Sequence, residues 1–181
     1  MILVLEFFYY VFFASVVFVY GIGMNRAFMI SEHPRKLFNG ALKMFISVSS
    51  STAISYLVAD RILLRVHMTE LYPLVAVLIF SSISIFIESV VRITTKKSAS
   101  EYTVSILSVL LGISEGATIL EAVLISCFSI CAFLISIFVL YMIRKKFSNK
   151  VGLVLISISV ILLALHFVNV SWFSYIGGML K

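Results

Sequence analysis

Residues 71–91 read LYPLVAVLIFSSISIFIESVV, and Glu88 is the only charged residue in this run. A helix needs about 20 consecutive apolar residues to cross the hydrocarbon core of a bilayer. The whole chain has a similar character: 62% of its 181 residues are hydrophobic, 12% are charged, and the mean hydropathy is +1.17. Soluble domains carry about 25% charged residues, so this chain lacks the charged surface that a soluble fold needs. The sequence therefore predicts an all-α integral membrane protein.

Six apolar runs follow one another, and their connections are too short to hold a soluble catalytic domain. We predict six transmembrane helices. The first is interpreted as a span rather than a signal peptide, because no basic segment precedes it and no small-residue cleavage site follows. The fourth run is the weakest, because Gly112, Glu115 and Gly116 interrupt it. The runs cover residues 2–22, 37–59, 71–91, 102–120, 121–143 and 151–176 of a single polytopic membrane domain, 1–181.

Lysine and arginine are distributed unequally between the two sets of loops. The first, third and fifth loops hold eleven of them and the opposite side holds three. Because positively charged loops stay in the cytoplasm, this asymmetry predicts that both termini lie outside the cytoplasm. It also explains the net charge of +6 without nucleic-acid binding. The eleven are Arg26, Arg35, Lys36, Lys43, Arg92, Lys96, Lys97, Arg144, Lys145, Lys146 and Lys150.

The chain divides near residue 96 into two halves of three predicted spans each, about 1–96 and 97–181. With an odd number of spans per half, the second half is inverted relative to the first. The first and fourth helices each run into a glycine-containing interruption, residues 21–26 (GIGMNR) and 112–117 (GISEGA). Such interruptions in inverted repeats indicate a site near the membrane midplane. The alternative is that Gly112 and Gly116 form a G-x-x-x-G helix-packing face.

Three segments carry a family resemblance: residues 88–92 read ESVVR, residues 23–31 read GMNRAFMIS and residues 113–120 read ISEGATIL. They resemble the six-helix A/E-type membrane subunits of the Rnf and Nqr ion-translocating electron-transfer complexes. The first is similar to the family's Glu-x-Val-Val-Arg at the end of the third span. The second is similar to Gly-Leu-Cys-Pro-Phe-Met-Gly-Val-Ser, and the third falls where the family has Ile-Thr-Thr-Asn-Cys-Ala-Val-Leu. Length, six spans, an outside N-terminus and inverted halves also agree.

The resemblance implies a subunit of a complex that couples electron transfer to sodium or proton transport across the bacterial inner membrane. Its implied partners are other membrane subunits, including a paralogous subunit of opposite orientation, and the complex is expected to carry iron–sulfur and flavin groups. In the family, each interrupted helix offers a cysteine to an iron–sulfur cluster. Those positions fall on Asn25 and Ala117 here, and neither an amide nor a methyl group replaces a thiolate. We therefore expect no cofactor, metal or catalytic residue in this chain.

Charged residues stand at both interruptions. A charge at membrane depth is costly, and such residues are generally paired or functional. We hypothesise that Arg26 and Glu115 form an ion pair where the family's cluster lies. The alternative is that Arg26 extends to the cytoplasmic surface and Glu115 lies at a helix start near water. Together with Gly23, Gly112 and Gly116, these two residues are candidates for a midplane site or an ion path.

Glu88 is a further candidate for an ion or proton path. It lies four residues before Arg92, a spacing at which two side chains pair along a helix, and this pairing is the simpler interpretation. Cys127 and Cys131 lie in one apolar run, where free cysteine generally packs rather than binds metal. His166 has no acidic or histidine neighbour at helical spacing. The sequence has no P-loop, dinucleotide fingerprint or serine–histidine–carboxylate arrangement.

Two other functions remain open at this point. The first is the membrane substrate-binding component of a small-solute, vitamin-type transporter. In that case the two interruptions would line a pocket, with Arg26 and Glu115 as polar contacts. The second is an assembly factor with the same fold. Neighbouring genes would discriminate, because genes for electron-transfer subunits support the Rnf/Nqr-like subunit and genes for ATPase subunits support the transporter.

Overall fold

The computed structural model describes residues 7–13, 27, 37–95, 102–147, 152–153, 156–161, 163–164 and 167. Within these ranges every regular element is helical and there is no β-strand. The predicted all-α class is therefore confirmed. The predictions for Arg26, Gly23, Asn25 and His166 concern residues outside the described ranges.

Four helices of 14 to 28 residues form most of the described structure. Short turns precede and connect them: a π-helical turn at Tyr9–Phe13, a second one at Ala59–Leu63 with an α-helical turn at Leu64–Val66, and a 3-10 turn at Thr69–Leu71. The four helices are α1 (Leu37–Val58), α2 (Tyr72–Thr95), α3 (Tyr102–Glu115) and α4 (Ile119–Lys146).

Three segments of the described structure are long and apolar enough to cross a membrane: Gly40–Val66, Thr69–Val91 and Ile119–Lys146. This confirms the membrane character and the transmembrane helices expected from composition. The fourth predicted run differs, because α3 has 14 residues and ends at Glu115. Such a helix is about 21 Å long, which is less than the roughly 30 Å of the hydrocarbon core. Six spans and inverted halves remain predictions.

The chain forms two compact units. One comprises residues 35–131 and contains α1, α2, α3 and the first part of α4; the other comprises residues 1–34 and 132–181. Within the first unit, α1 contacts both α2 and α3, and α2 also contacts α3. The sites described below all lie in this unit.

The link between α1 and α2 is a tight reversal at His67. This residue has a φ of 57° and ends the α-helical turn in the left-handed conformation. The backbone N–H of His67 donates to the carbonyl oxygen of Leu64 at 3.4 Å, and that of Met68 donates to Leu63 at 3.1 Å. This pair of bonds is the Schellman motif, which satisfies the last carbonyls of a helix. It turns the chain back, so that α2 returns antiparallel to α1.

The unit of residues 35–131 exposes apolar side chains and buries many hydroxyl groups. Helices that face lipid lose no free energy by exposing leucine or isoleucine, and small polar residues allow close helix contacts between them. Serines and threonines at less than 5% exposure include Ser47, Ser51, Thr52, Ser55, Ser84, Ser105, Ser108, Ser126 and Ser129. Exposed apolar side chains of α1 and α2 include Leu42, Ile46, Ile54, Leu74, Leu78, Ile85 and Phe86.

Candidate functional site

A row of buried polar residues follows one face of α1. Lys43, Ser47, Ser51 and Ser55 recur every four residues, and their exposed fractions are 5%, 4%, 0% and 2%. Residues at this spacing share one helix face. We call these four residues the polar seam. Serine is common where membrane helices pack closely, but a buried lysine is costly at membrane depth, so Lys43 at the end of this row calls for a chemical explanation.

Lys43 at one end of the polar seam forms an ion pair with Glu88 of α2. The distance from Lys43 Nζ to Glu88 Oε2 is 3.6 Å, and the side chains are 5% and 29% exposed. Each residue lies three positions inside the end of its apolar segment, Gly40–Val66 or Thr69–Val91. Three positions correspond to about 4.5 Å along a helix. The pair therefore lies about one helical turn inside the ends of two candidate membrane spans, and a carboxylate and an ammonium group within such a span are costly unless they neutralise each other.

The position of Lys43 corrects one sequence expectation. It was counted among the basic residues of the first loop, but it lies inside α1 and its side chain is buried. Arg144, which was counted in the fifth loop, likewise lies inside α4 with a buried side chain, and without these two the basic residues of the first, third and fifth loops number nine, against three on the opposite side. The predicted orientation therefore does not change. The predicted pairing of Glu88 with Arg92 remains a prediction, because the Arg92 side chain lies outside the described structure.

The hydroxyl groups farther along the polar seam have unused hydrogen-bonding capacity. Ser47 Oγ donates to the carbonyl oxygen of Met44 at 3.2 Å. Within the described structure, however, Ser51 Oγ, Ser55 Oγ and Lys43 Nζ are buried and have no hydrogen-bond partner. A buried polar group without a partner costs about 1–3 kcal/mol. The described structure therefore leaves the hydrogen-bonding capacity of these three atoms unused.

The antiparallel neighbour α2 extends the polar character. Ser84 is 2% exposed and lies one turn before Glu88. Because Lys43 meets Glu88, one further turn along both helices places Ser84 at the level of Ser47. The arrangement offers one carboxylate, one ammonium group and several hydroxyl oxygens along a single helix pair, which are the groups found on ion and proton pathways.

Gly112 and Gly116 lie against the start of α4. A Cβ atom at Gly112 would come within 2.5 Å of the Ala122 carbonyl oxygen and 3.1 Å of Thr52 Cγ2. A Cβ atom at Gly116 would lie 2.6 Å from the Cα and N atoms of Ala122. Gly112 is inside α3, so it does not interrupt that helix. The geometry at Gly112 is that of close helix packing, and Gly116 packs equally closely against α4 from the turn that follows α3.

The interruption itself lies between Glu115, the last residue of α3, and Ile119, the first of α4. Thr118 and Glu121 form a capping box there: the Thr118 N–H donates to Glu121 Oε2 at 3.2 Å, and the Glu121 N–H donates to Thr118 Oγ1 at 3.3 Å. Such reciprocal bonds define a helix start. Glu115 is exposed and stands at a helix end, not at the helix start that the sequence suggested.

Ala117, one of the two positions at which the family has a cysteine, has a backbone role here. It is exposed, and its carbonyl oxygen accepts a hydrogen bond of 2.7 Å from the Tyr56 hydroxyl of α1. Cys127 and Cys131 are free and partly buried on α4. No group of three or more potential metal ligands exists within the described residues. The hypothetical Arg26–Glu115 pair stays a hypothesis, because Arg26 lies outside them.

A cavity of about 350 Å³ lies at the end of α1 opposite Lys43. It is surrounded by the π-helical turn Ala59–Leu63, by the residues that lead into α2 and by the end of α3. Residues from three separate stretches of the chain meet there. The lining residues are Tyr56, Ala59, Asp60, Leu63, Leu64, Thr69, Tyr72, Ile113, Ser114 and Gly116.

Sequence reasoning missed the polar seam, although a signal for it exists. Lys43 was counted with the first loop, so the serines that follow it at intervals of four were not connected with it. The repeat of Lys43, Ser47, Ser51 and Ser55 at intervals of four is visible in the sequence and predicts a single polar face.

Comparison with known proteins identifies no relative of this chain. No protein-family model, no curated protein and no solved structure matches it. The Rnf/Nqr resemblance of residues 23–31, 88–92 and 113–120 is neither supported nor contradicted by these comparisons.

Proposed function

We propose that this protein is a membrane subunit of an Rnf/Nqr-like complex that couples electron transfer to ion transport across the bacterial inner membrane. The observation that carries the proposal is the Lys43–Glu88 ion pair at the head of the polar seam. Glu88 also opens ESVVR, one of the three segments that carry the family resemblance. In this proposal loops one, three and five face the cytoplasm.

The chemistry of the polar seam supports an ion-path role. Ionisable residues inside membrane helices generally lie on substrate, ion or proton pathways. Lys43 neutralises Glu88 in the resting arrangement, and the hydroxyls of Ser51 and Ser55 supply oxygen atoms without partners in the described structure. A cation or proton that passes along α1 would exchange with these groups. The chain would form half of the path, and a paralogous subunit of opposite orientation would form the other half.

The same proposal assigns no electron-carrying centre to this chain. The positions of the family's cysteines are occupied by Asn25 and Ala117, and neither side chain ligates iron. Electrons would pass through iron–sulfur and flavin groups of partner subunits. This chain would contribute the scaffold and the ion path.

The first test is mass spectrometry of the proteins that co-purify with this chain from its native membrane in mild detergent. Flavin-bearing and iron–sulfur subunits are expected. Recovery of the chain with ATPase subunits, or without any redox partner, would contradict the proposal.

A second test separates ion transport from electron transfer. In membrane vesicles, the double substitution Ser51→Ala and Ser55→Ala is expected to reduce ion uptake at least several-fold while electron transfer continues. Ser50→Ala is the matched control, because Ser50 lies on the same helix and donates to the Ile46 carbonyl oxygen. Equal ion uptake by both variants would exclude the polar seam from the path.

A small-solute transporter component is the second candidate function, and the cavity favours it. Ile113, Ser114 and Gly116 of the second interruption line this cavity, whereas Glu115, which that interpretation expected as a polar contact, is not among its lining residues. Its volume of about 350 Å³ lies in the range of small-molecule sites. Co-purification with ATPase subunits would select this function over the first.

A further inference from the structure

The cavity at the end of α1 has a composition suited to one class of ligand. Asp60 is the only charged residue among those that line it in the described structure. Two aromatic residues, Tyr56 and Tyr72, share the lining with the hydroxyl residues Thr69 and Ser114. A carboxylate combined with aromatic rings is the arrangement that recognises ammonium groups, because both the charge and the ring faces attract cations.

We propose that this cavity binds the ammonium group of a small organic cation. The carboxylate of Asp60 provides the counter-charge, and the tyrosine rings and the side chains of Leu63 and Ile113 suit the carbon atoms around the nitrogen. A hard metal ion is less suited, because it requires six or more oxygen ligands and the lining has a single carboxylate. The cavity volume of about 350 Å³ accommodates such a cation.

The lining is held in place by contacts within the unit of residues 35–131. The Tyr56 hydroxyl donates to the carbonyl oxygen of Ala117 at 2.7 Å, which joins α1 to the turn between α3 and α4. Asp60 lies in the π-helical turn Ala59–Leu63, and π turns occur frequently at functional sites. A site that is formed before binding loses less entropy when the ligand enters.

Arg61 regulates the availability of the carboxylate. Its Nε atom lies 3.5 Å from Asp60 Oδ2, and the two side chains are 71% and 51% exposed. An exposed ion pair of this kind is weak, so a ligand cation can displace the guanidinium group. Removal of Arg61 should therefore strengthen binding, whereas removal of the Asp60 charge should weaken it. These opposite changes in affinity distinguish a binding carboxylate from one that has only a structural role.

Two sources can supply an ammonium group at this position. One is a soluble amine, and the other is the head group of an aminophospholipid in the surrounding bilayer. Neither source requires the chain to be part of an electron-transfer complex, although this cavity is also the one that favours the transporter candidate. The proposal therefore stands apart from the proposed function, and co-purification results do not affect it.

The test is calorimetric titration of the full-length protein in detergent with tetramethylammonium chloride, with potassium chloride at the same ionic strength as the reference. We expect saturable binding of tetramethylammonium that Asp60→Asn weakens at least tenfold. Tyr72→Leu, which keeps an apolar side chain and removes the ring, should weaken it several-fold, and Arg61→Gln should tighten it. Glu70→Gln is the charge-matched control, because Glu70 is an exposed carboxylate of the adjacent turn, and it should leave affinity within twofold.

The lipid source is tested in nanodiscs of phosphatidylethanolamine or phosphatidylglycerol, followed by native mass spectrometry. Selective retention of phosphatidylethanolamine by the wild type and its loss in Asp60→Asn assigns the site to a lipid head group. Tetramethylammonium binding without such selectivity assigns it to a soluble amine. Absence of both, equal competition by potassium, or an Asp60→Asn variant that binds like the wild type would overturn the proposal. If Asp60→Asn fails to fold, Arg61→Gln still tests the site, because it is expected to bind tetramethylammonium more tightly than the wild type.

Discussion

Gly112 of α3 lies directly against Ala122 of α4, so close that a Cβ atom at Gly112 would come within 2.5 Å of the Ala122 carbonyl oxygen. The obstructing atom belongs to the backbone of a helix and cannot rotate away. The distance between α3 and α4 therefore depends on the absence of a side chain at this position. The same two helices are also joined by a hydrogen bond of 3.0 Å between Ser108 Oγ and Ser129 Oγ.

Gly112→Ala is expected to lower the free energy of unfolding by about 1–3 kcal/mol, the usual cost of forcing extra volume into a packed interior. Gly152→Ala is the control, because a Cβ atom at Gly152 would meet nothing within 4 Å. Alanine is favoured over glycine in helices by up to about 1 kcal/mol, so this control should not destabilise the protein. Equilibrium unfolding in mixed detergent measures both variants. If the two variants had the same free energy of unfolding, α3 and α4 would be able to separate without cost.

Substitutions at the Lys43–Glu88 pair are expected to be non-additive. Glu88→Gln leaves an ammonium group that is 5% exposed without its counter-charge, and breaking a buried pair costs about 3–5 kcal/mol. Lys43→Met should cost less, because Glu88 is 29% exposed and retains access to water. The double variant should recover most of the loss. A double-mutant cycle on unfolding free energies measures this coupling.

The exposed Asp60–Arg61 pair is the control for that cycle. Both side chains are more than half exposed, so Arg61→Gln should change stability by less than about 1 kcal/mol. Additive effects at Lys43 and Glu88, similar to those of the exposed pair, would mean that water reaches the intramembrane pair.

Removal of the hydroxyl groups of Ser51 and Ser55, in the polar seam, is expected to stabilise the isolated chain. Ser51→Ala and Ser55→Ala each eliminate a buried hydroxyl that has no hydrogen-bond partner in the described structure. Since such a group costs about 1–3 kcal/mol, the unfolding free energy should rise or stay constant. In contrast, Ser108→Ala should lower it by about 1 kcal/mol, because the bond to Ser129 is lost. Destabilisation at Ser51 or Ser55 would reveal a partner for that hydroxyl.

Substitutions in the capping box at the start of α4 are expected to destabilise the protein by graded amounts. Thr118→Ala removes the side-chain oxygen that accepts the Glu121 N–H and should cost about 1 kcal/mol. Thr118→Ser keeps that oxygen and should cost only a few tenths of this value. Glu121→Gln preserves an acceptor for the N–H groups of Ala117 and Thr118 and should be intermediate. Thermal unfolding followed by helical circular dichroism ranks the variants, and similar midpoints for Thr118→Ala and Thr118→Ser would rule out a capping role.

Local features of the sequence were sufficient to predict the helices. The predicted spans at residues 37–59, 71–91 and 121–143 correspond to α1 (Leu37–Val58), α2 (Tyr72–Thr95) and α4 (Ile119–Lys146). Helical hydrogen bonds join residues close in sequence, and a long apolar run excludes water along its whole length. Both effects can be evaluated one segment at a time. The prediction for the end of α3 was less accurate. A glycine at position 112 indicates a helix interruption when only the sequence is considered, whereas in the structure Gly112 lies inside α3 and allows contact with α4.

The sequence by itself determined that this protein is helical and belongs in a membrane, since 62% hydrophobic residues leave no other solvent for its surface. It also determined the positions of three spans. Only the tertiary structure revealed that Glu88 pairs with Lys43, because the antiparallel return of α2 brings together two residues that are 45 positions apart in the sequence. The cavity around Asp60 likewise required three segments to converge. Ion pairs and cavities between helices depend on distances across the fold, and these are set by packing and not by spacing along the chain.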